Sequence, residues 1–306
     1  MSALPQPQSR SPFRSGPAAL SRRSVLTTAG LVAAGVALDS ALAAPSASAA
    51  TTPAIFYSPH QDDEAIGLAG SILEHKAAGR PVYLVLVSRG ENGDLAAIMN
   101  QGACRTLGDR CSAPGHTHDL GWQETWPTPE VVSGRTAEFK ASAKALGVDK
   151  VINFDLSDEA FGDYDGFVKK VMAKVRALAQ QYPGASHKFA AGWLDKTATH
   201  KACSDAAYWL MKNGELTDVR FNHIYAYQQF PNPADRGRGA AYVLDIPAAQ
   251  MAKKRAAILA YNTWDPSRNL YTLGYHSVPT WLEQAYADPR EFVYTLPSGY
   301  KPGPAA

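Results

Sequence analysis

The segment Ser58–Ser71, SPHQDDEAIGLAGS, places one histidine and three consecutive acids directly after an apolar run. His60 and Asp63 are three positions apart, so on one turn they would offer a nitrogen and an oxygen ligand in the same direction. Asp62 points elsewhere on that turn and would remain able to accept a proton. A catalytic zinc site uses three protein ligands and a water, so this segment supplies two of the three.

The three acids also have a simpler interpretation, because acidic residues are common in the first turn of a helix. Under that interpretation Asp62, Asp63 and Glu64 stabilise the helix N-terminus and take no part in chemistry. Glu64 fits both interpretations, since it could also orient a metal ligand. Helix capping does not account for His60, which stands directly before the acids where the apolar run ends.

His200 is the candidate for the third ligand. It lies in GWLDKTATHKACSD, where a predicted strand ends near Leu194, a short loop follows and His200 opens the next helix. The other histidines occupy more ordinary positions within a helix, in a long loop or beside apolar runs. We expect His60, Asp63 and His200 to meet and hold Zn²⁺, although two histidines and one aspartate also accept other divalent ions.

Strands and helices alternate along the part of the chain that must position these residues. AIFYS (54–58), the helical EAIGLAGSILEHKAAG and PVYLVLVS (81–88) form a βαβ unit, whose two strands are parallel. Further helices are predicted over RTAEFKASAKALGV and GFVKKVMAKVRALAQQY, and further strands over KVINFDLS, KFAAGWL, HIYAYQQF (223–230) and AAYVLDI. The pattern predicts an α/β fold with a single doubly wound, mostly parallel, Rossmann-like sheet and helices on both faces. Such sheets bind ligands beyond the carboxyl ends of their strands, where His60 lies.

Length and composition allow one large α/β domain or two small ones, and the absence of a repeat or linker favours one. The chain has 306 residues, of which 45% are hydrophobic and 19% charged, and residues 51–306 contain no repeat or linker. A loop-rich insertion covers about 89–129, and loops of that length in a compact domain are usually functional. The net charge of +2 is spread without basic blocks, which argues against a nucleic-acid partner.

Residues 1–50 have the features of an export signal. Arg22 and Arg23 precede a weakly apolar run from Val25 to Leu38, and alanine-rich cleavage sites follow. This order is typical of a secretory signal of the twin-arginine type, and the run is too short and too rich in Gly and Ala to span a bilayer. A disordered basic tail is the alternative. We expect a secreted or extracytoplasmic protein, folded with its metal before twin-arginine export and not inserted in the membrane after cleavage.

The cysteines and the C-terminal tail give two smaller predictions. Cys104 and Cys111 flank the turn-like RTLGDR, and a disulfide between them would add roughly 2–3 kcal/mol to the free energy of unfolding. Cys203 falls in a helical pattern and is expected to be a small buried residue. The tail LPSGYKPGPAA is rich in Pro and Gly and is expected to be loosely held.

In combination these motifs resemble the LmbE-like or PIG-L family of zinc-dependent N-deacetylases, which act on N-acetylglucosamine-type amides. HQDDE matches the family's His-Pro-Asp-Asp-Glu at four of five positions, with Gln61 in place of proline. SRGENG, RTAEFKASAKALGV, VINFDLSDEAF, DKTATHKAC and KRAAILAY resemble later motifs in the same order. The resemblance implies that His60, Asp63 and His200 hold zinc. It also implies that Asp62 deprotonates the attacking water and then returns the proton to the departing amine.

The resemblance further implies a substrate pocket and shows one departure. Arg135 and Asp158 match sugar-contacting positions, and Glu91 would shape the same pocket, although each could equally be an ordinary helix or turn charge. The family's oxyanion-stabilising histidine and its neighbouring aspartate are Thr197 and Thr199 here. A threonine hydroxyl at Thr197 could donate one hydrogen bond to the substrate but no positive charge. Loss of an oxyanion donor costs about 10²–10³ in rate.

These inferences predict an exported carbohydrate N-deacetylase whose substrate is a sugar or glycoconjugate; its oligomeric state is left open. Two alternatives are a zinc hydrolase of a non-sugar amide or ester and a sugar-binding protein that has lost turnover. Trp122 and Trp126, in the insertion, could stack on sugar faces or pack the insertion onto the domain. A nucleotide-binding protein is disfavoured because no Gly-x-Gly-x-x-Gly follows the first strand.

Overall fold

Within the residues that the computed structural model describes, 52–102, 117–158, 162–195 and 197–304, seven strands form one sheet. They are β1 (Ala54–Ser58), β2 (Val82–Ser88), β3 (Lys150–Leu156), β4 (Ser186–Ala190), β5 (Val219–Asn222), β6 (Tyr242–Asp245) and β9 (Arg290–Tyr294). Their order across the sheet is β3-β2-β1-β4-β5-β9-β6. Two short strands, β7 (Trp264–Asp265) and β8 (Leu270–Tyr271), form a separate ribbon.

The pairing of the strands confirms the predicted mostly parallel sheet. β1 pairs in parallel with β2 on one side and β4 on the other, and the outer pairs β2–β3 and β4–β5 are also parallel. The edge beyond β5 is antiparallel, because β9 pairs with both β5 and β6. The chain runs from β1 outward to β2 and β3 and then crosses back to β4 on the other side of β1, so the strand order reverses between β1 and β4. A ligand crevice is expected at the carboxyl ends of these two strands.

Helices cover both faces of the sheet. The first helix, α1, starts with a π-helical turn over Glu64–Leu68 and continues over Ala69–Ala77. The others are α2 (Gly93–Met99), α3 (Pro129–Leu146), α4 (Tyr164–Gln181), α5 (Ala198–Lys212), α6 (Ala226–Gln229), α7 (Ala248–Ala260), α8 (Leu273–Ser277) and α9 (Pro279–Ala287).

Alternate residues of each buried strand face opposite cores, as the pleat requires. Ile55 and Tyr57 pack with the apolar residues of α4 and α5. Phe56, between them, packs with those of α1, α3 and α7. A strand buried on both faces appears in the sequence as a continuous apolar run, which is why AIFYS was recognisable.

The strand predicted over HIYAYQQF is wrong. The strand β5 ends at Asn222, before this segment, and Ala226–Gln229 forms the short helix α6. Aromatic residues favour strands only when they fit a pleated surface, and here Ile224, Tyr225 and Tyr227 all pack into the same buried cluster. The segment therefore turns at the carboxyl end of β5 instead of extending it.

The expectation of a loosely held tail is also wrong. The Tyr300 hydroxyl and the Gly303 amide both donate hydrogen bonds to the buried carboxylate of Asp205, and Lys201 Nζ donates to the Lys301 carbonyl at 3.1 Å. The composition of the tail gives no sign of this acceptor, which lies 95 residues earlier on α5. Residues 300–303 are thus fastened next to the helix turn that carries His200.

Three other sequence predictions stand as follows. Cys203 is a free, buried cysteine, as expected. Residues 1–50 and the proposed pair Cys104 and Cys111 lie outside the described residues, so the export signal and the disulfide stay predictions. In the described part of the chain, none of the helices combines the length and the apolar character needed to cross a membrane.

Candidate metal centre and active site

Three side chains meet where β1 and β4 end. His60 Nδ1 lies 3.3 Å from His200 Nε2, and Asp63 Oδ2 lies 3.1 Å from His200 Nε2 and 3.5 Å from His60 Nδ1. Tetrahedral ligands placed about 2.0–2.1 Å from a zinc ion are about 3.3 Å from one another. Among the described residues, this is the group of His, Cys, Asp and Glu side chains that could hold a metal ion. The three atoms have the spacing of one face of a tetrahedral site.

A carboxylate orients each histidine through its other ring nitrogen. His60 Nε2 lies 2.8 Å from Asp158 Oδ2, and His200 Nδ1 lies 2.9 Å from Asp195 Oδ2. When the outward nitrogen carries the proton and donates it to the carboxylate, the inward nitrogen presents its lone pair. This arrangement is typical of histidines that bind metals. Asp195 is a functional residue that the sequence reasoning did not select.

The residues fit a divalent cation by a second criterion. Asp63 Oδ2 accepts a hydrogen bond from the His60 amide at 2.8 Å, whereas Asp63 Oδ1 is buried without a hydrogen-bond partner among the described residues. The same is true of Asp62 Oδ1. Buried carboxylate oxygens without partners are costly, and a nearby cation would compensate their charge.

Mutual attraction within this cluster changes its protonation. Burial alone lowers the pKa of His60, but the carboxylates of Asp158 and Asp63 outweigh it and raise that pKa to about 9. Burial also lowers the pKa of His200, but the carboxylates of Asp195 and Asp63 outweigh it and hold that pKa well above its usual range. Burial raises the pKa of Asp63, yet the two histidines bring it below its ordinary value. A metal must therefore displace protons from the histidines when it binds.

Asp62 stands beside the triangle, as predicted, and does not join it. Its backbone has φ of 90°, a conformation that non-glycine residues rarely adopt, and its amide donates to the Tyr261 hydroxyl at 2.8 Å. Asp62 Oδ2 accepts a hydrogen bond from Arg135 Nη2 at 3.3 Å. Burial raises the pKa of Asp62 to about 7, although the charge of Arg135 opposes the increase. Strain held by surrounding contacts is a common property of active-site residues.

Glu64 acts on this site through a tyrosine. The Tyr261 hydroxyl donates to Glu64 Oε1 at 2.7 Å while it accepts from the Asp62 amide. Burial raises the pKa of Glu64 to about 8. The carboxyl group therefore lies in the first helical turn and, among the described residues, its hydrogen bond goes to Tyr261. It fixes Tyr261, which fixes the backbone of Asp62.

A cavity of about 230 Å³ adjoins the triangle at His60. Glu91, Arg135 and Asp158, the residues predicted to bind substrate, all contribute to its lining together with His60 and Asp62. Thr197 does not belong to that lining; it precedes α5, and its amide donates to Asp195 Oδ1 at 3.0 Å. The structure thus brings together seven of the eight predicted site residues, and it connects Thr197 to Asp195, the carboxylate that orients His200.

The pocket residues hold one another in place. Arg135 is only 7% exposed and donates to the carbonyls of Gly90 and Gln61 as well as to Asp62. Glu91 Oε1 accepts from the Ser157 hydroxyl and Glu91 Oε2 from the Asp158 amide. Arg135 is therefore not a solvated helix-start charge, which was the alternative for it, and Glu91 is a buried acid in the loop after β2.

A family profile described as PIG-L, GlcNAc-PI de-N-acetylase, matches residues 55–210, which is more than half of the chain. The chain belongs to the PIG-L family. This confirms the resemblance inferred from the motifs, and it places the protein among de-N-acetylases at the level of the family. No curated protein sequence matches the chain at a significant level.

Solved structures at low identity share the fold. One is a deacetylase triple mutant of the teicoplanin biosynthetic pathway, at 17% identity and a TM-score of 0.55, covering 79% of this chain and 97% of that chain. Another is a deacetylase–teicoplanin complex, at 15% identity and a TM-score of 0.53, which also covers 79% of this chain and 97% of that chain. A third is GalB, the 4-carboxy-2-hydroxymuconate hydratase of Pseudomonas putida KT2440, at 17% identity and a TM-score of 0.52, covering 83% of this chain and 100% of that chain. Because a hydratase shares this fold, the reaction must be argued from the site.

Two departures from the PIG-L motifs have visible consequences. Gln61, in place of proline, is fully buried, and its Nε2 donates to the Arg89 carbonyl at 2.8 Å, which ties the first site loop to the second. Thr199 Oγ1, in place of the family's aspartate, donates to Asp158 Oδ1 at 2.5 Å. Thr199 therefore positions the carboxylate that orients His60.

Tyr225 is a pocket residue that the sequence did not reveal. Its ring centroid lies 4.9 Å from that of His200, and the residue lines the cavity. Tyr225 belongs to the segment for which a strand was predicted, and in a strand its side chain would have had no reason to face His200. None of the PIG-L motifs quoted above includes Tyr225. Its position near His200 follows from the turn that the chain makes after β5.

Gly192 permits the close approach of β4 to the turn that carries His200. A Cβ atom on Gly192 would lie 2.2 Å from the His200 carbonyl carbon and 2.4 Å from the Lys201 amide nitrogen. Both are backbone atoms, so Gly192→Ala would push the start of α5 away. We expect zinc affinity to fall at least tenfold and the free energy of unfolding by about 1–3 kcal/mol. Zinc titration and urea unfolding measure the two effects; unchanged zinc affinity would contradict the packing described.

Proposed function

We propose that this protein is an exported, zinc-dependent N-deacetylase that hydrolyses the acetamide of an N-acetylglucosamine-type sugar or glycoconjugate. The observation that carries the proposal is the triangle of His60, Asp63 and His200 with the carboxylate of Asp62 beside it in a polar pocket. Membership of a de-N-acetylase family supports it. So does the fold shared with teicoplanin-pathway deacetylases.

The proposed chemistry divides between a metal and this chain. Zinc held by His60, Asp63 and His200 would polarise the acetamide carbonyl and lower the pKa of a water towards about 7, and other divalent ions could serve the same role. Asp62 accepts the proton of the attacking water on Oδ1, the oxygen that has no other partner among the described residues. It then gives that proton to the departing amine.

Arg135 contributes by positioning the base. Its guanidinium holds Asp62 Oδ2 and two backbone carbonyls, so Oδ1 is the oxygen left to face the reacting atoms. Glu91 and Asp158, on the same wall, have further lone pairs for sugar hydroxyls. We include these three residues in the substrate site, and a contact of Thr197 with the substrate stays a prediction.

We also propose that the protein acts outside the cytoplasmic membrane. The proposal rests on Arg22 and Arg23, the short apolar run after them and the alanine-rich sites that follow. A substrate encountered there would be a polysaccharide, a glycolipid or a secreted metabolite.

The test of the proposed function is acetate release by the mature protein loaded with zinc, with metal-free protein as the control. N-acetylglucosamine, its short oligosaccharides and a non-sugar N-acetyl amide are compared. Zinc-dependent release from the sugars alone is expected. Release from the non-sugar amide alone would favour a different zinc hydrolase. Sugar binding without release would favour a binding protein on the same frame.

A further inference from the structure

The C-terminal tail supplies half of the donors to a buried carboxylate on α5. A carboxylate has about four lone-pair sites, and Asp205, which is only 1% exposed, accepts four hydrogen bonds. Tyr164 of α4 and Lys201 of α5 donate two of them, at 2.7 and 2.5 Å. The Tyr300 hydroxyl and the Gly303 amide donate the other two, at 2.5 and 2.7 Å. Without the tail, two acceptor sites of a buried charge would be left empty, which is costly.

The same contacts reach the residue next to His200. Lys201 follows His200 in the first turn of α5, and its Nζ donates both to Asp205 and to the Lys301 carbonyl. Nζ also lies 4.7 Å from the centroid of the Tyr300 ring, a cation–π contact. The turn that presents the His200 ring is therefore joined to the tail directly and also through Asp205.

The tail also contacts the beginning of the loop that leads to His200. The ring of Trp193 packs edge to face on that of Tyr300, with centroids 5.5 Å apart and an angle of 80° between the planes. Trp193 stands two residues before Asp195, whose carboxylate orients His200. Tyr300 thus contacts both ends of the segment 193–201, which contains the ligand and the residue that orients it.

Contacts at these ends decide where the segment lies relative to the sheet. Hydrogen bonds inside the segment join its own members, because Asp195 accepts from the Thr197 amide and orients His200. They do not fix the distance from His200 to the two ligands that follow β1. Ser204 supplies one support, since its Oγ donates to a carbonyl of β4. The tail supplies a second. Residues of a metal site must be held within about 0.5 Å of the productive geometry, so both supports matter.

We propose that Tyr300 is a positioning residue of the metal centre and that docking of the tail is coupled to zinc binding. The inference rests on the proposed zinc site and deepens it. Tyr300 is neither one of the three ligand residues nor part of the described cavity lining, so it acts through Trp193 and Lys201. Coupling between two binding equilibria is reciprocal. A tail that raises zinc affinity is therefore itself held more tightly when zinc is bound.

The first measurement is the zinc affinity of the mature protein, by competition with a chromophoric chelator. Tyr300→Ala should weaken zinc binding about tenfold, because residues that orient metal ligands contribute at least that much to affinity. Tyr300→Phe keeps the ring contacts with Trp193 and Lys201 and loses only the hydroxyl, so it should recover most of the affinity. At saturating zinc, KM for N-acetylglucosamine should equal that of the parent.

A matched control separates positioning from loss of stability. Leu146, the last residue of α3, is fully buried in the core cluster on the other face of the sheet. Leu146→Ala should lower the free energy of unfolding in urea at least as much as Tyr300→Ala does, since it leaves a cavity in that core. It should leave zinc affinity unchanged.

Hydrogen exchange gives the reciprocal readout in the unmutated protein. The Gly303 amide is protected by its bond to Asp205 when the tail is docked. Its exchange should be about tenfold slower in zinc-loaded than in metal-free protein, matching the loss of affinity in Tyr300→Ala. This measurement decides the matter if Tyr300→Ala does not fold.

The outcomes separate this inference from the proposed function, because both measurements use zinc alone. Coupling between zinc and the tail without acetate release would refute the deacetylase and keep the positioning role. Acetate release by a Tyr300→Ala protein that binds zinc as the parent does would keep the deacetylase and overturn the positioning role. Exchange of the Gly303 amide that is independent of zinc would also overturn it.

Discussion

Replacing Asp62 by asparagine is expected to lower kcat for acetate release by about 10²–10⁴-fold, the range attributable to a general acid–base group. Asparagine has the same shape and tolerates positive φ better than most residues, so the backbone at φ of 90° can be kept. Its side chain can still accept the hydrogen bond of Arg135. Asparagine cannot take a proton from water, so the reaction loses its base. It also loses the protonated carboxyl group that would give the proton to the departing amine.

The zinc content of Asp62→Asn should stay at that of the parent, because Asp62 is outside the triangle of ligand atoms. KM should change little. Asp245→Asn, a change of the same kind on the edge strand β6, serves as the control and should leave kcat unaltered. If Asp62→Asn retained more than a tenth of the parent kcat, another group would have to be the base, and the roles assigned to Arg135 and Tyr261 would fail with it.

The ligand triangle was predictable because two local signals mark strand ends. His60 and Asp63 follow an apolar run that can only be a buried strand, and His200 follows a second one. In a doubly wound sheet the carboxyl ends of such strands share an edge, so the two segments had to approach each other. Motif resemblance then supplied Glu91, Arg135 and Asp158, and the structure places all three in one cavity.

Side-chain hydrogen bonds that depend on the orientation of a ring or a hydroxyl group could not be predicted from the sequence. Asp195 is five residues from His200, yet its role depends on which ring nitrogen faces the metal site. Tyr261 reaches Asp62 across 199 residues. Neither relation has a periodicity or a spacing that could be recognised in one chain. The direct evidence is the folded geometry, in which these groups satisfy buried polar atoms.

The edge of the sheet was the least predictable part of the fold. VRFN, which forms β5, contains Arg220 and Asn222 and lacks the apolar run that marks β1 and β2. Its antiparallel partner β9 was not predicted either. Because β5 has only four residues, the neighbouring HIYAYQQF, richer in aromatic residues, was the more strand-like segment by composition. The conformation of this segment is set instead by the burial of Tyr225 beside His200 and of Ile224 beside Gly67.

Removal of His200 is expected to have the largest effect on metal binding. His200→Ala takes away one of three ligands and leaves the buried carboxylates of Asp63 and Asp195 without their imidazole. The protein should lose tightly bound zinc, and acetate release should fall to the level of metal-free protein. Breaking a buried charge pair from one side costs about 3–5 kcal/mol, so the fold must be checked by circular dichroism.

Asp195→Asn distinguishes loss of the ligand from loss of its orientation. Asparagine keeps the volume and one acceptor beside His200 Nδ1 but removes the charge that raises the basicity of the ring. Zinc affinity should fall about 10–100-fold, and saturating zinc should restore much of the acetate release. No such recovery is expected for His200→Ala. If both variants bound zinc as tightly as the parent, the metal would lie elsewhere, because Asp195 contacts the triangle through His200.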